Sequence, residues 1–220
     1  VKNWLLYYPV ERVMSRFCDY IVTINKEDYN RAKTFHAPNV RYIPGVGVDI
    51  HKISKIVVNK QAYKESIGVP RNCVLLLSVG EMIERKNHEV VIRALSKLQN
   101  PNIYYAICGK GPLREHLEKI AKELDVSDRV KFLGFRKDIP ELCNTADISA
   151  FPSRIEGLGL AGIEALSPDD VDGFAKAIDT LANDKNMRES MRQTCINAVA
   201  PFEKENAVKV MINIYNEILK

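Results

Sequence analysis

No apolar run in the 220 residues approaches the roughly 18 needed to cross a bilayer. The opening stretch, VKNWLLYYPVERV, also lacks the charged, then apolar, then small-residue order of a signal peptide, so the expectation is a chain neither anchored nor exported. Cysteine is sparse and scattered. Cys18, Cys73, Cys108, Cys143 and Cys195 form no C-x-x-C pair, and an odd set of isolated thiols fits a reduced, cytoplasmic setting better than a disulfide framework. Blocks of like charge are missing too. The 32 basic and 28 acidic residues leave a net +4 spread along the chain, too mild to imply nucleic acid; it fits an ordinary solvated surface and is still compatible with weak attraction to an anionic membrane surface. His36, His51, His88 and His116 stand at no metal-ligand spacing and form no H-E-x-x-H, so no metal is expected. With neither a G-x-S-x-G elbow nor a cysteine in a nucleophile setting, the residues argue against hydrolase chemistry.

What is present is a length and a 46% hydrophobic content sufficient for one full core and part of a second. Strand-like runs alternate with helix-like ones: VLLLSVG (74–80), HEVVIRALSKL, IYYAICG (103–109), LREHLEKIAKEL, VKFLGF (130–135), IPELCNTA and ISAFPS (148–153). That alternation is the βαβ signature of a parallel sheet flanked by helices, and the continuous apolar runs suit strands covered on both faces. Leu113, Leu117, Ile120, Ala121 and Leu124 recur at three- and four-residue spacing and read as core. Ahead of this unit come a helix-like VERVMSRFCDY, a short apolar YIVTI (20–24) and a polar helix KEDYNRAKTF. Residues 37–49, with their prolines and glycines, read as a linker or crossing segment, which places a boundary near residue 45. Helices are expected over 170–181, 187–198 and 203–219.

Ligands of an open parallel sheet bind beyond the carboxyl ends of its strands, so the residues there are the informative ones. After VLLLSV, the run GEMIERKNHE joins Gly80 to Arg85 and Lys86 and opens a helix at Asn87 or His88. A cation beside helix amides suits a phosphate, while the plainer reading is a solvated turn capped by Asn87. After IYYAIC, Gly109 and Gly111 of GKGPLREH permit close backbone approach or merely a tight turn. This is not a dinucleotide fingerprint, because Arg114 stands in place of the third glycine, nor a Walker A loop, because Tyr104 stands in place of the first. After ISAFPS comes RIEGLGLAGIEAL, with Glu156 and Glu164 framing Gly157, Gly159 and Gly162. A capping box, Ser153 with Glu156, explains neither the glycines nor the second carboxylate.

These pieces in this order resemble the carboxy-terminal domain of family 4 glycosyltransferases, particularly the bacterial capsular and exopolysaccharide enzymes. IPGVGVD is similar to the family's interdomain segment, SVGEMIERKNHEVVIRAL to its first strand, loop and helix, ICGKGPL to its second, VKFLGFRKDI to its third, and FPSRIEGLGLAGIEAL to its E-x7-E signature. The resemblance implies a GT-B fold, in which this chain supplies a Rossmann-like parallel sheet with helices on both faces plus a remnant of the first domain. It implies a retaining transfer of a sugar, with UDP-sugar as the donor class, to a glycan or lipid-linked acceptor, with no protein-bound metal and no other cofactor. Glu156, Lys86 and Glu164 are the implied catalytic set. Glu164 would hydrogen-bond the donor ribose, Glu156 and the amides of Gly157, Leu158, Gly159 and Leu160 would face sugar and phosphate, and Lys86 would pair with the diphosphate. Phe135 and Arg136 would border the base, and Gly80, Glu81, Arg85, Gly109, Gly111 and Arg154 complete the donor-binding set.

Three departures from the family pattern set further expectations. Glu81 stands where many relatives carry arginine, and Arg85 is expected to take over that phosphate contact. Leu166 runs straight into Ser167 where relatives insert a further strand, helix and turn, so a segment is expected to be missing there. Residues 1–45 are read as a remnant of the acceptor domain, 46–200 as the nucleotide-sugar-binding domain and 201–220 as a helix crossing back to the first. Peripheral association of the full enzyme with the inner membrane face suits a lipid-linked acceptor. A non-catalytic nucleotide-binding module and a nucleotide-sugar epimerase of similar fold are the alternatives.

Overall fold

The computed structural model describes residues 2–45, 47–154 and 167–219. They belong to two compact units, one formed by Val1–Lys52 with Cys195–Lys220 and the other by Ile53–Thr194. The first unit opens with α1 (Lys2–Met14), which tightens into a single 3-10 turn at Ser15–Phe17. β1 (Tyr20–Thr23), α2 (Lys26–Ala32) and β2 (Asn39–Tyr42) follow. Asn25 starts α2 by accepting the Asp28 amide at 2.7 Å, and Glu27 and Asp28 place negative charge at its positive end. β1 and β2 pair in parallel, Tyr20 opposite Asn39 through Thr23 opposite Tyr42. β2 lies within the stretch that reads as linker, because four residues with only Val40 and Tyr42 apolar carry too little alternation to stand out.

Past α3 (Ile50–Ser54), the second unit begins with α4 (Lys60–Ser66), which Asn59 caps by accepting the Ala62 amide at 3.1 Å. Neither short helix has an apolar stripe long enough to announce it. Then β3 (Val74–Val79), α5 (His88–Lys97), β4 (Ile103–Cys108), α6 (Arg114–Glu123), β5 (Val130–Gly134), α7 (Ile139–Thr145) and β6 (Ile148–Ser149) alternate as the sequence indicates. The strands lie in the order β5-β4-β3-β6, all parallel. β6 is shorter than the apolar run ISAFPS suggests: only Ile148 and Ser149 are strand, with the Ala150 amide adding a bond to the Leu77 carbonyl before Pro152.

Side-chain alternation distributes the core over both faces of this sheet. Leu76, Ile103, Tyr105 and Ile107 point to one side, where they meet Val91, Ile92 and Leu95 of α5, Leu117 and Ile120 of α6, and Ala175 and Ile178 of α8 (Val171–Asn183). Leu75, Leu77, Ala106 and Cys108 point to the other, against Leu142 of α7, Ile67 and Tyr63. Each fully buried aliphatic side chain contributes about 1.5–3 kcal/mol, so the two clusters account for most of what holds this unit together. β3 and β4, the inner strands, are buried nearly throughout, whereas edge strand β5 is only half-buried after Val130. The stripe on α6 is core as its spacing indicates, Leu117, Ile120 and Ala121 fully and Leu113 and Leu124 partly.

α9 (Lys185–Val199) and α10 (Lys204–Ile218) end the chain. Within the first unit α10 is held to residues 47–50: Lys204 donates its amide to the Val48 carbonyl at 3.0 Å and its ammonium to Asp49 at 2.5 Å, and Glu203 accepts the Ile50 amide. Gly47 sits at φ +86, and a Cβ there would come within 2.9 Å of the Lys204 Cα, so both conformation and space call for glycine. Among the described residues no helix is long and apolar enough to cross a membrane.

Candidate functional site

The carboxyl ends of β3, β4, β5 and β6 lie side by side, as parallel pairing requires, and the loops that leave them build the candidate site. The β3 loop, Gly80 to Asn87, is fixed at several points. The Gly80 amide donates to the Cys108 carbonyl at 2.9 Å, the Met82 amide to the Lys110 carbonyl at 3.0 Å, and the Leu113 amide returns to the Met82 carbonyl at 3.1 Å. Met82 is fully buried beneath the loop. A tight turn at Glu84–Lys86 then ends at Asn87, whose φ of +50 is the left-handed conformation, and α5 begins at His88.

Asn87 occupies the capping position without capping, since its side chain makes no bond to the α5 amides. Its amide nitrogen donates to the Pro168 carbonyl at 2.6 Å instead, and its oxygen lies 3.4 Å from the Arg154 guanidinium. The first-turn amides of α5 therefore have no side-chain cap from Asn87, which is the condition for receiving an anion. Lys86 is half-buried, and its aliphatic stem lies over Gly80, 3.5 Å from where a Cβ would be. Arg85 and Glu81 are exposed, and the Glu81 carbonyl accepts from the Ile83 amide and lies 3.2 Å from Nε2 of His88.

The two glycines of the β4 loop serve packing between loops. A Cβ on Gly109 would stand 1.9 Å from the Gly80 carbonyl oxygen, and one on Gly111 would stand 2.4 Å from that of Met82. Close backbone approach is indeed why these positions are glycine, and the backbone approached is that of the β3 loop. On the β5 side, the Gly109 amide donates to the Gly134 carbonyl at 2.9 Å.

After β5, Phe135 presents its ring to solvent, 68% exposed, whereas the Arg136 guanidinium is engaged. It grips Asp138 at 2.9 and 2.5 Å and lies 3.2 Å from the Tyr63 hydroxyl, which itself donates to Asp138 at 2.6 Å. Arg136 and then Tyr63 hold the Asp138 carboxyl far below the usual carboxylate range, and burial together with Asp138 pushes the Tyr63 phenol up to about 12. Arg136 thus stiffens the β5 exit with its side chain, a task that its partner Asp138 two residues on could have signalled.

Arg154, after β6, forms an ion pair with Asp169 at 2.6 Å, and its amide donates to the Arg85 carbonyl at 2.9 Å. Together with the bond from Asn87 to Pro168, this ties residues 154 and 168–169 to the end of the β3 loop. Glu156, Gly157, Leu158, Gly159, Leu160 and Glu164 lie outside the described residues. The structure therefore assembles Gly80, Arg85, Lys86, Gly109, Gly111 and Arg154 around one loop, with Phe135 and Arg136 at the end of the next strand but one. Tyr63, Asp138 and Asp169 also shape this region and are absent from the sequence reading: Tyr63 and Asp169 act through partners 75 and 15 residues away, whereas Asp138 lies two residues from Arg136.

Residues 59–168, half of the chain, match the family model described as "Glycosyl transferases group 1". The chain belongs to the group 1 glycosyltransferases. Among curated relatives, the putative glycosyltransferase EpsD of Bacillus subtilis is 35% identical over 172 residues, which span 76% of this chain and 45% of EpsD. An Escherichia coli UDP-Gal:alpha-D-GlcNAc-diphosphoundecaprenol alpha-1,3-galactosyltransferase is 32% identical over 127 residues, 55% of this chain and 33% of that enzyme. This group 1 chain thus spans less than half the length of these relatives. In three dimensions it is similar to Anabaena HepE solved with UDP and glucose, with a TM-score of 0.82, 17% identity and coverage of 96% of this chain and 67% of that one. That likeness establishes the GT-B fold, with parallel sheets and helices on both sides of the strands, as the resemblance implies.

Proposed function

We propose that this glycosyltransferase chain carries the donor-binding half of an enzyme that moves a sugar from a UDP-sugar to a glycan or lipid-linked acceptor in exopolysaccharide-type synthesis. The observation that carries the reading is Lys86 at the amino terminus of α5, which Asn87 leaves without a side-chain cap, on a loop pinned to its neighbours at the carboxyl edge of a parallel sheet. Charge develops on the diphosphate as it departs, and a fixed ammonium beside fixed helix amides stabilises that charge without rearranging. Phe135 supplies an exposed aromatic surface for the base. UDP as the nucleotide is supported by the complex of HepE, and a lipid-linked acceptor by the substrate named for the E. coli galactosyltransferase.

In this reading Glu164 holds the ribose hydroxyls, Glu156 and the glycine-rich amides face the sugar, and transfer retains the anomeric configuration without a protein-bound metal. Arg85 stands in for the arginine that Glu81 replaces. Residues 1–45 belong with the acceptor domain and 201–220 cross back to it, and the enzyme works in the cytoplasm at the inner membrane face. Calorimetric titration with UDP, GDP and their sugar conjugates tests the donor site. Binding of UDP is expected, and Lys86→Ala should weaken it by about 1.5–3 kcal/mol, the worth of a charge-assisted hydrogen bond. Unchanged affinity in Lys86→Ala would remove the diphosphate from this loop.

A further inference from the structure

His88 is a buried ring, 3% exposed, with both nitrogens engaged. Nε2 lies 3.2 Å from the Glu81 carbonyl oxygen and Nδ1 lies 3.0 Å from the Tyr105 hydroxyl. The contacts continue from Tyr105 to the Ser78 hydroxyl at 2.9 Å and from Ser78 to the Ala150 carbonyl at 2.7 Å. The chain of contacts therefore runs from the β3 loop, through α5 and the two inner strands, to the exit of β6.

Both ends of this chain are carbonyl oxygens, which only accept, so its four links need four hydrogens. A neutral imidazole, a phenol and a serine hydroxyl supply three. An imidazolium would supply the fourth, but burial, joined by the charge of Lys86, lowers the pKa of His88 and keeps it neutral. One link must lack a hydrogen, and the tautomer of His88 decides which. With the proton on Nδ1, two fixed lone pairs, those of Nε2 and the Glu81 carbonyl, would face each other. With the proton on Nε2, the ring donates to Glu81 and accepts from the hydroxyl of Tyr105. The deficit then falls on the Ser78 hydroxyl, which rotates to serve either neighbour.

We propose that His88, as its Nε2–H tautomer, is a positioning residue that holds the Glu81 carbonyl and thereby sets the loop that presents Lys86 to the donor diphosphate. The proposal rests on the donor-site reading above. The bond spans the loop from its second residue to the first residue of α5, so Arg85 and Lys86 lie inside a closed ring of contacts. Opening that ring frees the backbone on which the ammonium is mounted.

The test pairs two amides that differ in reach. His88→Gln carries an amide nitrogen to about the place of Nε2, whereas His88→Asn reaches only to about that of Nδ1. Titrated with UDP, His88→Asn should bind about tenfold more weakly than wild type and His88→Gln within about threefold. The 15N spectrum of the wild-type imidazole at neutral pH should show the proton on Nε2. Equal affinities for the two variants, or a proton on Nδ1, would overturn the positioning role while wild-type binding of UDP leaves the donor site intact. A wild type that binds no UDP would instead overturn the donor-site reading and the positioning role with it.

Discussion

Replacing Lys64 with methionine is expected to destabilise the second unit by about 3 kcal/mol, the lower end of what breaking a buried ion pair costs. Lys64 is 6% exposed on α4, and its ammonium donates to Asp147 at 2.6 Å and to the Cys73 carbonyl at 2.7 Å. The same Asp147 oxygen accepts the Leu75 amide at 2.8 Å. One carboxylate thus joins α4, the start of β3 and the residue before β6. Methionine would fill the volume of the lysine stem, but it would leave a carboxylate with one remaining donor and a carbonyl with none. Asp147 keeps 24% of its side chain in solvent, which limits the loss and places it at the lower end. Urea unfolding followed by circular dichroism measures the change, and a midpoint equal to that of wild type would contradict this account of the pair. β6 has only two strand residues, so loosening Asp147 should also loosen the path to Arg154.

A methyl group on Gly109 should be as damaging, by crowding. Gly109→Ala would drive a Cβ to 1.9 Å from the Gly80 oxygen, and that oxygen belongs to backbone whose amide is already bonded to Cys108. Neither loop yields without breaking a link between strands. The expected cost is about 3 kcal/mol, the upper part of the usual range for overpacking. Because the displaced backbone leads to Lys86, UDP affinity should fall by about tenfold or more. Gly134→Ala is the control. Gly134 has a φ of +66 and nothing within 4 Å of an added Cβ, so only the left-handed backbone cost of about 1–2 kcal/mol applies there, and UDP binding should survive. Equal damage from both variants, in melting and in titration, would mean that contact between the loops is not what Gly109 serves.

From β3 onward the strands and helices of the second unit were legible because long apolar runs and three-four spacing are strong local signals. β3, β4, α5 and α6 differ from their sequence reading by a residue or so at each end. β2, α3 and α4 were not legible, since a four-residue strand and two short helices are stabilised by what they pack on, as buried Lys64 on α4 shows. The same division holds in the site. Lys86 and the glycines follow from their place after the strands, and the structure adds that Gly109 and Gly111 face a neighbouring loop. The resemblance places Arg136 and Arg154 in the donor-binding set, and the fold shows them engaged with Asp138, Tyr63 and Asp169. Asn87 carries the cap residue's identity but a left-handed backbone, and its side chain bonds across the fold to Pro168. His88 reads in sequence as a helix start and a histidine without metal spacing, because its partners, the Glu81 carbonyl and the Tyr105 hydroxyl, are set by the fold.

The most direct measurement of the central claim is an amide chemical-shift map of the chain titrated with UDP. The account expects the largest changes from Gly80 to His88 and at Phe135 and Arg136, where diphosphate and base are assigned. Changes confined to the far ends of the strands, or to the helices away from these loops, would contradict the donor site.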